Sequence, residues 1–410
     1  MRRPARAARR PSASTAAAAR DASFLREALD LAPLGRLRVE PNPTVGCVVV
    51  RGGQVVGRGW HQAYGGPHAE VEALAEAGKD ARGATVYVSL EPCTTTGKTP
   101  PCVVALARAG VARVVWASRD PNPAHAGRAA RALRAVGIEA VGPALPGPGD
   151  AVLARFRAGL ARTRPWTVLK WASSLDGRVA PARGQGGRLS GREATAWLHD
   201  LRGRVEAVAV GVGTVLVDDP RLTCRSPEGP VLGAQPAAVV FDSELRIPLD
   251  ALLVRESGPA RALFLATTGP RRAKGVRLAE RPGIFPLRYR ADANGCPDPA
   301  DVLHDLHALG VRRLLVEGGP TLAGSLLARG LVDQVAVIVT PSLLGADGAP
   351  TALVGTPFHD LEAAPRLQDV SVRRLGDDVL IEGYVPAPGD APGEPRPATT
   401  RARRPGAQRG

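Results

Sequence analysis

His68-Ala-Glu70, then Pro92-Cys93, then Cys102 at the end of Cys93-Thr-Thr-Thr-Gly-Lys-Thr-Pro-Pro-Cys102, is the stretch that decides the first half of this chain. One imidazole and two thiols are donors that zinc prefers, and three protein ligands leave a fourth tetrahedral position open. Pro100-Pro101 opens a helix at Cys102, where free N–H groups and the helix dipole favour a thiolate. His68 and Glu70 stand two apart, which in mid-helix would send them in different directions. In a first turn, with the metal near the helix end, both reach one cavity and Glu70 can carry protons. The set suits hydrolytic removal of an amino group from a heterocyclic base. Taken singly, Cys93 and Cys102 read as buried core cysteines and His68 as a loop histidine. The ordered combination, with a strand between, argues against that reading. Cys47 lies inside an apolar run and reads as core rather than as a fourth ligand.

Working outward, residues 21–32 read as a short amphipathic helix on Phe24, Leu25, Ala28 and Leu31. Pro41-Asn-Pro-Thr-Val-Gly46 is a turn, and 47–51 with 54–57 form a hairpin around Gly52-Gly53. A helix from His68 to about Ala77, a strand at 85–90, a helix ended by Gly110, a strand at 111–117 and a helix at 127–136 follow. Alternating strands and helices predict a three-layer α/β domain. Gly142-Pro-Ala-Leu-Pro-Gly-Pro-Gly149 reads as a break, followed by a helix over 150–161. A second α/β unit starts at Trp166, with strands at 167–172, 207–212, 237–242, 262–267, 313–317 and 334–340. Its helices are expected at 193–202, 299–309 and 322–329, the second with Asp298 as N-cap and Pro299 in its first turn.

At 410 residues the chain suits two domains, and 44% hydrophobic with 23% charged residues is globular composition. The net charge of +15 looks like a nucleic-acid signal until it is located: residues 1–20 carry +6 and 387–410 carry +3. The body keeps about +6, which is modest. The expected division is a disordered basic tail at 1–20, a zinc domain at 21–145, a linker helix at 146–164, a second domain at 165–385 and a disordered tail at 386–410. The Arg-rich start has no apolar core and is not a secretory signal. No apolar stretch is long enough to span a membrane. Five cysteines and no export signal fit a reducing cytoplasm.

Eight residues separate Cys93 from Cys102, against the Cys-x-x-Cys of most base deaminases. That longer loop, with Pro41-Asn-Pro-Thr-Val-Gly46, Gly59-Trp-His61, Gly66-Pro-His-Ala-Glu70, Leu90-Glu-Pro-Cys93 and Asp120-Pro-Asn-Pro123, resembles the bacterial bifunctional riboflavin-biosynthesis proteins. The resemblance continues through Ser174-Leu-Asp-Gly-Arg178, Gly211-Val-Gly-Thr-Val215, Asp218-Asp-Pro-Arg-Leu-Thr-Cys-Arg225 and Val316-Glu-Gly-Gly-Pro-Thr-Leu-Ala-Gly324. In that family a diaminohydroxyphosphoribosylaminopyrimidine deaminase is fused to a 5-amino-6-(5-phosphoribosylamino)uracil reductase. The resemblance implies a cytidine-deaminase-like domain with one Zn2+, then a dihydrofolate-reductase-like domain that uses NADPH to turn a ribosyl into a ribityl group. It places Asn42, His61 and Lys98 on the deaminase substrate, with Asp120 and Asn122 as weaker candidates. Cofactor contacts are implied at Ala172, Thr214, Asp218, Ser243 and Gly319, Pro320, Thr321, Leu322, Ala323, Gly324 and Ser325. Substrate phosphate and ribose contacts are implied at Arg202, Leu222, Arg225 and Glu317. Pairing of two copies through the second domain's sheet is the assembly it suggests.

The second half also carries a physical signal. Glu317-Gly-Gly-Pro-Thr-Leu ends an apolar strand and opens a helix, where glycines admit an anion to helix N–H groups. Joined to Gly211-Val-Gly-Thr214 it outlines an NADPH cleft without a Rossmann G-x-G-x-x-G. Asp218 is the candidate proton partner beside the nicotinamide. Two departures stand out: Thr94-Thr95 replaces the family's usual Ser-His, and Gly186-Gly-Arg-Leu-Ser190 replaces an aromatic-bearing segment, putting Arg188 where Trp is usual. Three readings follow: a bifunctional enzyme on a small phosphoribosyl pyrimidine, a deaminase with an impaired second domain, and a nucleic-acid base editor suggested by the tails. The first is favoured, with no nucleic-acid or membrane partner.

Overall fold

The structure is a computed structural model that describes residues 13–386 apart from 227–228, 270–272, 346, 356–357, 359–361 and 363. The expectation of disorder over 1–12 and 387–410 lies outside the described residues.

Two sheets organise the chain. The first holds β1 (Gly46–Arg51), β2 (Gln54–Trp60), β3 (Thr85–Leu90), β4 (Arg113–Ser118) and β5 (Glu139–Val141), in the order β2-β1-β3-β4-β5. β1 pairs antiparallel with β2 and β3, whereas β3, β4 and β5 run parallel. Val48 and Val50 of β1, Tyr87 of β3 and Val115 of β4 pack on one side against Leu25 and Ala28 of α1 (Ala13–Leu31). Val49, Val86, Val88 and Val114 face the other side and meet α2 (Ala69–Ala77), α3 (Cys102–Ala109) and α4 (Ala129–Ala135). Covering both faces explains why the central strands read as unbroken apolar runs.

α1 starts eight residues earlier than its apolar spacing predicted, so residues 13–20 belong to a helix and not to the basic tail. The Ala-rich run there has high helix propensity, which outweighs the charge pattern that suggested disorder. The expected break at 142–149 is also shorter, because α5 (Pro146–Val152) begins inside it. The single helix expected over 150–161 is two, α5 and α6 (Ala154–Gly159), meeting at fully buried Leu153. Proline is accepted at a helix start, so Pro146 marks an opening instead of a stop.

The second sheet contains β6 (Trp166–Ser173), β7 (Ala207–Gly211), β8 (Ala237–Phe241), β9 (Leu263–Thr267), β10 (Ile284–Arg288), β11 (Arg313–Val316), β12 (Gln334–Val339), β13 (Gln368–Leu375) and β14 (Asp378–Tyr384). Their order is β10-β9-β8-β7-β11-β6-β12-β14-β13, parallel except where β14 joins β12 and β13. The six strands expected here all form. β10, β13 and β14 are additional: β10 and β13 are the sheet's two edges, with Pro286 in one and alternating exposed residues in the other. Neither edge needs the apolar run that marks a central strand. Around this sheet lie α7 (Arg192–Arg202), α8 (Val212–Asp218), α9 (Leu252–Arg255), α10 (Ala273–Ala279), α11 (Pro299–Ala308) and α12 (Pro320–Ala328). Asp298 caps α11 as expected, accepting from the Ala300 N–H at 2.9 Å. Among the described residues no helix is long and apolar enough to cross a membrane.

α1 is tied to its sheet by one carboxylate. Asp21 takes both Arg113 guanidinium nitrogens at 2.9 and 2.8 Å and the Tyr87 hydroxyl at 2.8 Å. Partial burial raises its pKa, but the Arg113 and Tyr87 bonds outweigh that and hold it below the usual aspartate range. A depressed carboxylate stabilises the fold above its unfolded pKa and loses that contribution as pH falls through the folded value. Asp21→Asn is therefore expected to cost about 1–2 kcal/mol near neutral pH. In urea melts the gap to wild type should close as the pH drops below 4, and a constant gap would contradict this reading.

Candidate active sites

The first site is assembled where two helices point their N-termini at the end of β3. α2 lies close on β2 because Gly57 and Gly59 have no side chains: a Cβ at either would sit 2.3 Å from backbone atoms of Ala73. That contact sets His68, the N-cap of α2, and Glu70 in its first turn. β3 delivers Cys93 through Glu91-Pro92, and α3 begins at Cys102. His68 Nδ1 is 3.1 Å from Cys102 Sγ and 3.5 Å from Cys93 Sγ, and the three ligand atoms lie within 4.8 Å of one another. A nitrogen and two sulfurs converging on one point, with a buried carboxylate beside them, fit zinc with one open position. Cys47 is fully buried in β1 and outside this cluster.

The electrostatics refine the role expected for Cys102. The Cys102 thiol, the His68 imidazole and the Cys102 backbone N–H at 3.2 Å pull Cys93 down to about 4. The Cys102 thiol is pushed up, by Cys93 and by burial. The α3 N-terminus thus serves the sulfur of Cys93 more than that of Cys102. Glu70 is 3% exposed; burial raises its pKa, and it shares a hydrogen bond with the Cys102 thiol. A carboxyl that moves easily between protonated and ionised forms suits proton transfer.

Asn42 and His61 stand together beside this centre. Asn42 Nδ2 is 3.2 Å from His61 Nε2, and His61 Nδ1 is 2.8 Å from the Pro67 carbonyl. Burial lowers the His61 pKa to about 4, so its ring is neutral, with Nδ1 donating and Nε2 accepting. Its ring centroid lies 5.3 Å from that of His68. Lys98 is placed differently: its ammonium pairs with Glu206 of the second half at 2.5 Å and lies over the Tyr64 ring. Asp120 and Asn122 shape a turn, accepting from the Asn122 and Ala124 N–H groups at 2.8 and 3.0 Å. Glu91, which the sequence reading passed over, holds that loop by accepting from the N–H groups of Asp120, Gly127 and Ala129. Where Thr94-Thr95 replaces the usual Ser-His, the structure brings an imidazole from elsewhere: His125 Nδ1 is 3.1 Å from Thr95 Oγ1.

The second site lies at the carboxyl ends of β7, β11 and β6. Gly318 and Gly319 have φ of 131° and 86°, a region that favours glycine, and they lead into α12. Gly211, the N-cap of α8, faces them, its N–H 3.4 Å from the Gly318 carbonyl. Thr214 lies in the first turn of α8, Asp218 ends it, and Ala172 sits near the end of β6. Within the run from Gly319 to Ser325, Pro320, Thr321 and Leu322 form the first turn of α12. Ala323 and Gly324 are buried, with the Val354 carbonyl where a Gly324 Cβ would lie. The Ser243 carbonyl is taken up by the Thr267 hydroxyl and the Thr268 and Gly269 N–H groups. Two glycine turns and a helix N-terminus fit a dinucleotide phosphate.

Arg202 and Glu317 form a bidentate pair at 2.6 and 2.7 Å, both largely buried. Burial would raise the Glu317 carboxyl, but Arg202 and Lys170 hold it below the usual range. Lys170 is missing from the sequence reading. It sits in mid-β6, buried, and its pKa is lowered by burial and by Arg202 against the pull of Glu317. The signal was visible: a lysine inside the apolar strand Trp166-Thr-Val-Leu-Lys-Trp171. Arg225 Nε is 3.4 Å from His199 Nε2, while the Leu222 side chain is core. Asp218 packs where a side chain at Gly186 would go, a Cβ there falling 1.9 Å from its Oδ1. Arg188 is exposed. A cleft of ≈ 580 Å³ joins the two halves, lined by Tyr64 and Lys98 on one side and His199, Arg204 and Arg225 on the other.

A zinc base-deaminase site on one sheet and an NADPH-type cleft on another define a fused deaminase–reductase. Comparison with known proteins agrees. Residues 18–118 match the cytidine and deoxycytidylate deaminase zinc-binding region, and residues 165–381 match the RibD C-terminal domain. The riboflavin biosynthesis protein RibD of Actinobacillus pleuropneumoniae is 37% identical over 90% of this chain and 96% of its own length. That of Escherichia coli K12 is 37% identical over 88% and 98%. The structure of Acinetobacter baumannii RibD superposes with a TM-score of 0.64 at 33% identity, covering 90% of this chain and 99% of that one. A Thermotoga maritima diaminohydroxyphosphoribosylaminopyrimidine deaminase/5-amino-6-(5-phosphoribosylamino)uracil reductase gives 0.59 at 30% identity, covering 90% and 99%. This chain belongs to the RibD family. It is a bifunctional deaminase and reductase of riboflavin biosynthesis, with zinc in the deaminase half and NADPH as the reductant.

The Arg202–Glu317 pair carries a stability consequence. Arg202→Ala leaves a carboxylate buried without its guanidinium and is expected to cost about 3 kcal/mol, read as a lowered urea midpoint. A change under about 0.5 kcal/mol would mean the pair is solvated in solution.

Proposed function

We propose that the substrates are those named for the Thermotoga relative. The first is 2,5-diamino-6-(5-phosphoribosylamino)pyrimidin-4(3H)-one, which loses its 2-amino group as ammonia. The second is the resulting 5-amino-6-(5-phosphoribosylamino)uracil, whose ribosyl group is reduced to ribityl. When bound, zinc supplies Lewis acidity to a water and NADPH supplies the reducing equivalent.

In the first step His68, Cys93 and Cys102 hold the metal, and Glu70 takes a proton from the attacking water. Glu70 passes that proton to the ring nitrogen, then takes the proton of the new hydroxyl as the carbonyl forms and gives it to the departing amine, which leaves as ammonia. Asn42 and the Nε2 side of neutral His61 hold the pyrimidine edge, with Lys98 toward the ribose phosphate. In the second step Gly319 to Ser325, Ala172, Thr214, Asp218 and Ser243 hold the dinucleotide. Arg225 and Arg202 meet the substrate's phosphate and ribose alongside Leu222 and Glu317. As the ribose C1′–O4′ bond opens, its oxygen needs a proton; Lys170, whose pKa burial lowers beside Glu317, and Asp218, whose pKa burial raises, are the two groups that could give it. The division into a deaminase domain ending near residue 145 and a reductase domain over 165–385 belongs to the same reading, as does a reducing cytoplasmic setting, where its five free cysteines suit a reduced protein.

The observation that carries this reading is the meeting of His68, Cys93 and Cys102 within 4.8 Å beside a buried Glu70. Glu70→Gln should keep one zinc per chain, slow deamination about 10²–10⁴-fold and still oxidise NADPH normally on supplied deaminated intermediate. Loss of both activities together would contradict two separate sites.

A further inference from the structure

Two loops that hold the deaminase's substrate-side residues are fastened by the other half of the chain. Glu206 stands just before β7. Its Oε1 takes the Tyr64 hydroxyl at 3.0 Å and the Lys98 ammonium at 2.5 Å. Its Oε2 takes the N–H groups of Arg312 and Arg313 at 3.2 and 2.8 Å, so β11 fixes the carboxylate in turn. Lys98 is followed by Thr99, whose hydroxyl is 3.2 Å from His68 Nε2. One carboxylate of the second half therefore holds the Thr94-to-Pro101 loop at Lys98, one residue from Thr99, whose hydroxyl meets the zinc ligand His68.

The second fastening is buried. Arg313, 1% exposed, donates to the carbonyls of Arg38 at 2.9 Å and Leu37 at 3.4 Å. Gln334 Nε2 donates to the Leu37 carbonyl at 2.9 Å, and the Leu37 N–H donates to the Tyr384 hydroxyl at 2.8 Å. Tyr384 also bonds Glu40, and the Leu37 side chain belongs to the second unit's core. Asn42 follows two residues after Glu40, its N–H held by the Val39 carbonyl at 2.9 Å. Buried hydrogen bonds of this kind fix a loop more firmly than exposed ion pairs do.

We infer that Glu206 and Tyr384, carried by the reductase half, are positioning residues for deamination: they set the loops of Lys98 and Asn42 before substrate arrives. Neither touches the reacting atoms. Preorganised loops lower the ordering cost of binding, so their release appears mainly in KM. The inference rests on the proposed substrate roles of Asn42 and Lys98.

The test uses the full chain with zinc bound. Glu206→Gln keeps an oxygen for the β11 N–H groups and loses the charge that holds Lys98. Tyr384→Phe keeps the ring and loses the bonds to Leu37 and Glu40. Each should raise the deamination KM by about fivefold, with kcat within about twofold, zinc content unchanged and NADPH oxidation on supplied intermediate unchanged. That KM should rise more steeply with salt in wild type than in Glu206→Gln, since the exposed Lys98 ammonium pairs with Glu206 only in wild type. An unchanged KM in both folded variants overturns the inference, as does an equal loss in both activities. Should Glu206→Gln fail to fold, Tyr64→Phe removes one Glu206 bond and is held to the same KM criterion. Wild type without deamination would instead overturn the proposed function.

Discussion

Three side chains from segments 34 residues apart must meet at one point, and the first half of the fold is arranged around that requirement. His68 caps α2 and Cys102 opens α3, so both come from helix N-termini, and Cys93 comes from the end of β3. Small errors in helix placement would open the cluster. The glycines of β2 prevent that by letting the α2 backbone lie almost on the sheet. Glu91 steadies the other side of the site by holding the Asp120-to-Ala129 loop.

The second site follows a different logic. Its glycines create space for an anionic cofactor, while its charges are buried and matched among themselves. Arg202, Glu317 and Lys170 form a cluster in which two cations face one carboxylate. Such a cluster costs desolvation unless each member is paired, so its position beside the glycine turns points to chemistry and not to stability alone. The seam between the halves repeats the theme with Glu206, which meets the Tyr64 and Lys98 side chains of the first unit, and with Arg313, which is held by backbone carbonyls of that unit.

What was legible in the sequence is what depends on local pattern. His-x-Glu, Pro-Cys and a cysteine opening a helix are local, and the structure brings them together. The central strands are apolar runs and were found; β13 and β14 carry alternating or charged residues because one is an edge and the other sits beside it, so periodicity alone missed them. The start of α1 looks like tail composition because its Ala/Ser/Thr run follows directly on an Arg-rich stretch and ends in Arg20. Lys170 could have been noticed as a charge in a buried strand. Lys98's pairing with Glu206 and His125's approach to Thr95 could not, since nothing local links residues 108 or 30 positions apart.

Deamination depends on the metal site, and its coordination shell can be measured directly. Zinc K-edge X-ray absorption on the purified full-length protein, with metal content determined in parallel, should give one zinc per chain. The shell should hold two sulfurs at about 2.3 Å and two nitrogen or oxygen donors at about 2.0–2.1 Å, one from His68 and one from solvent. A shell of four sulfurs, or one of nitrogen and oxygen alone, would contradict a site built from His68, Cys93 and Cys102.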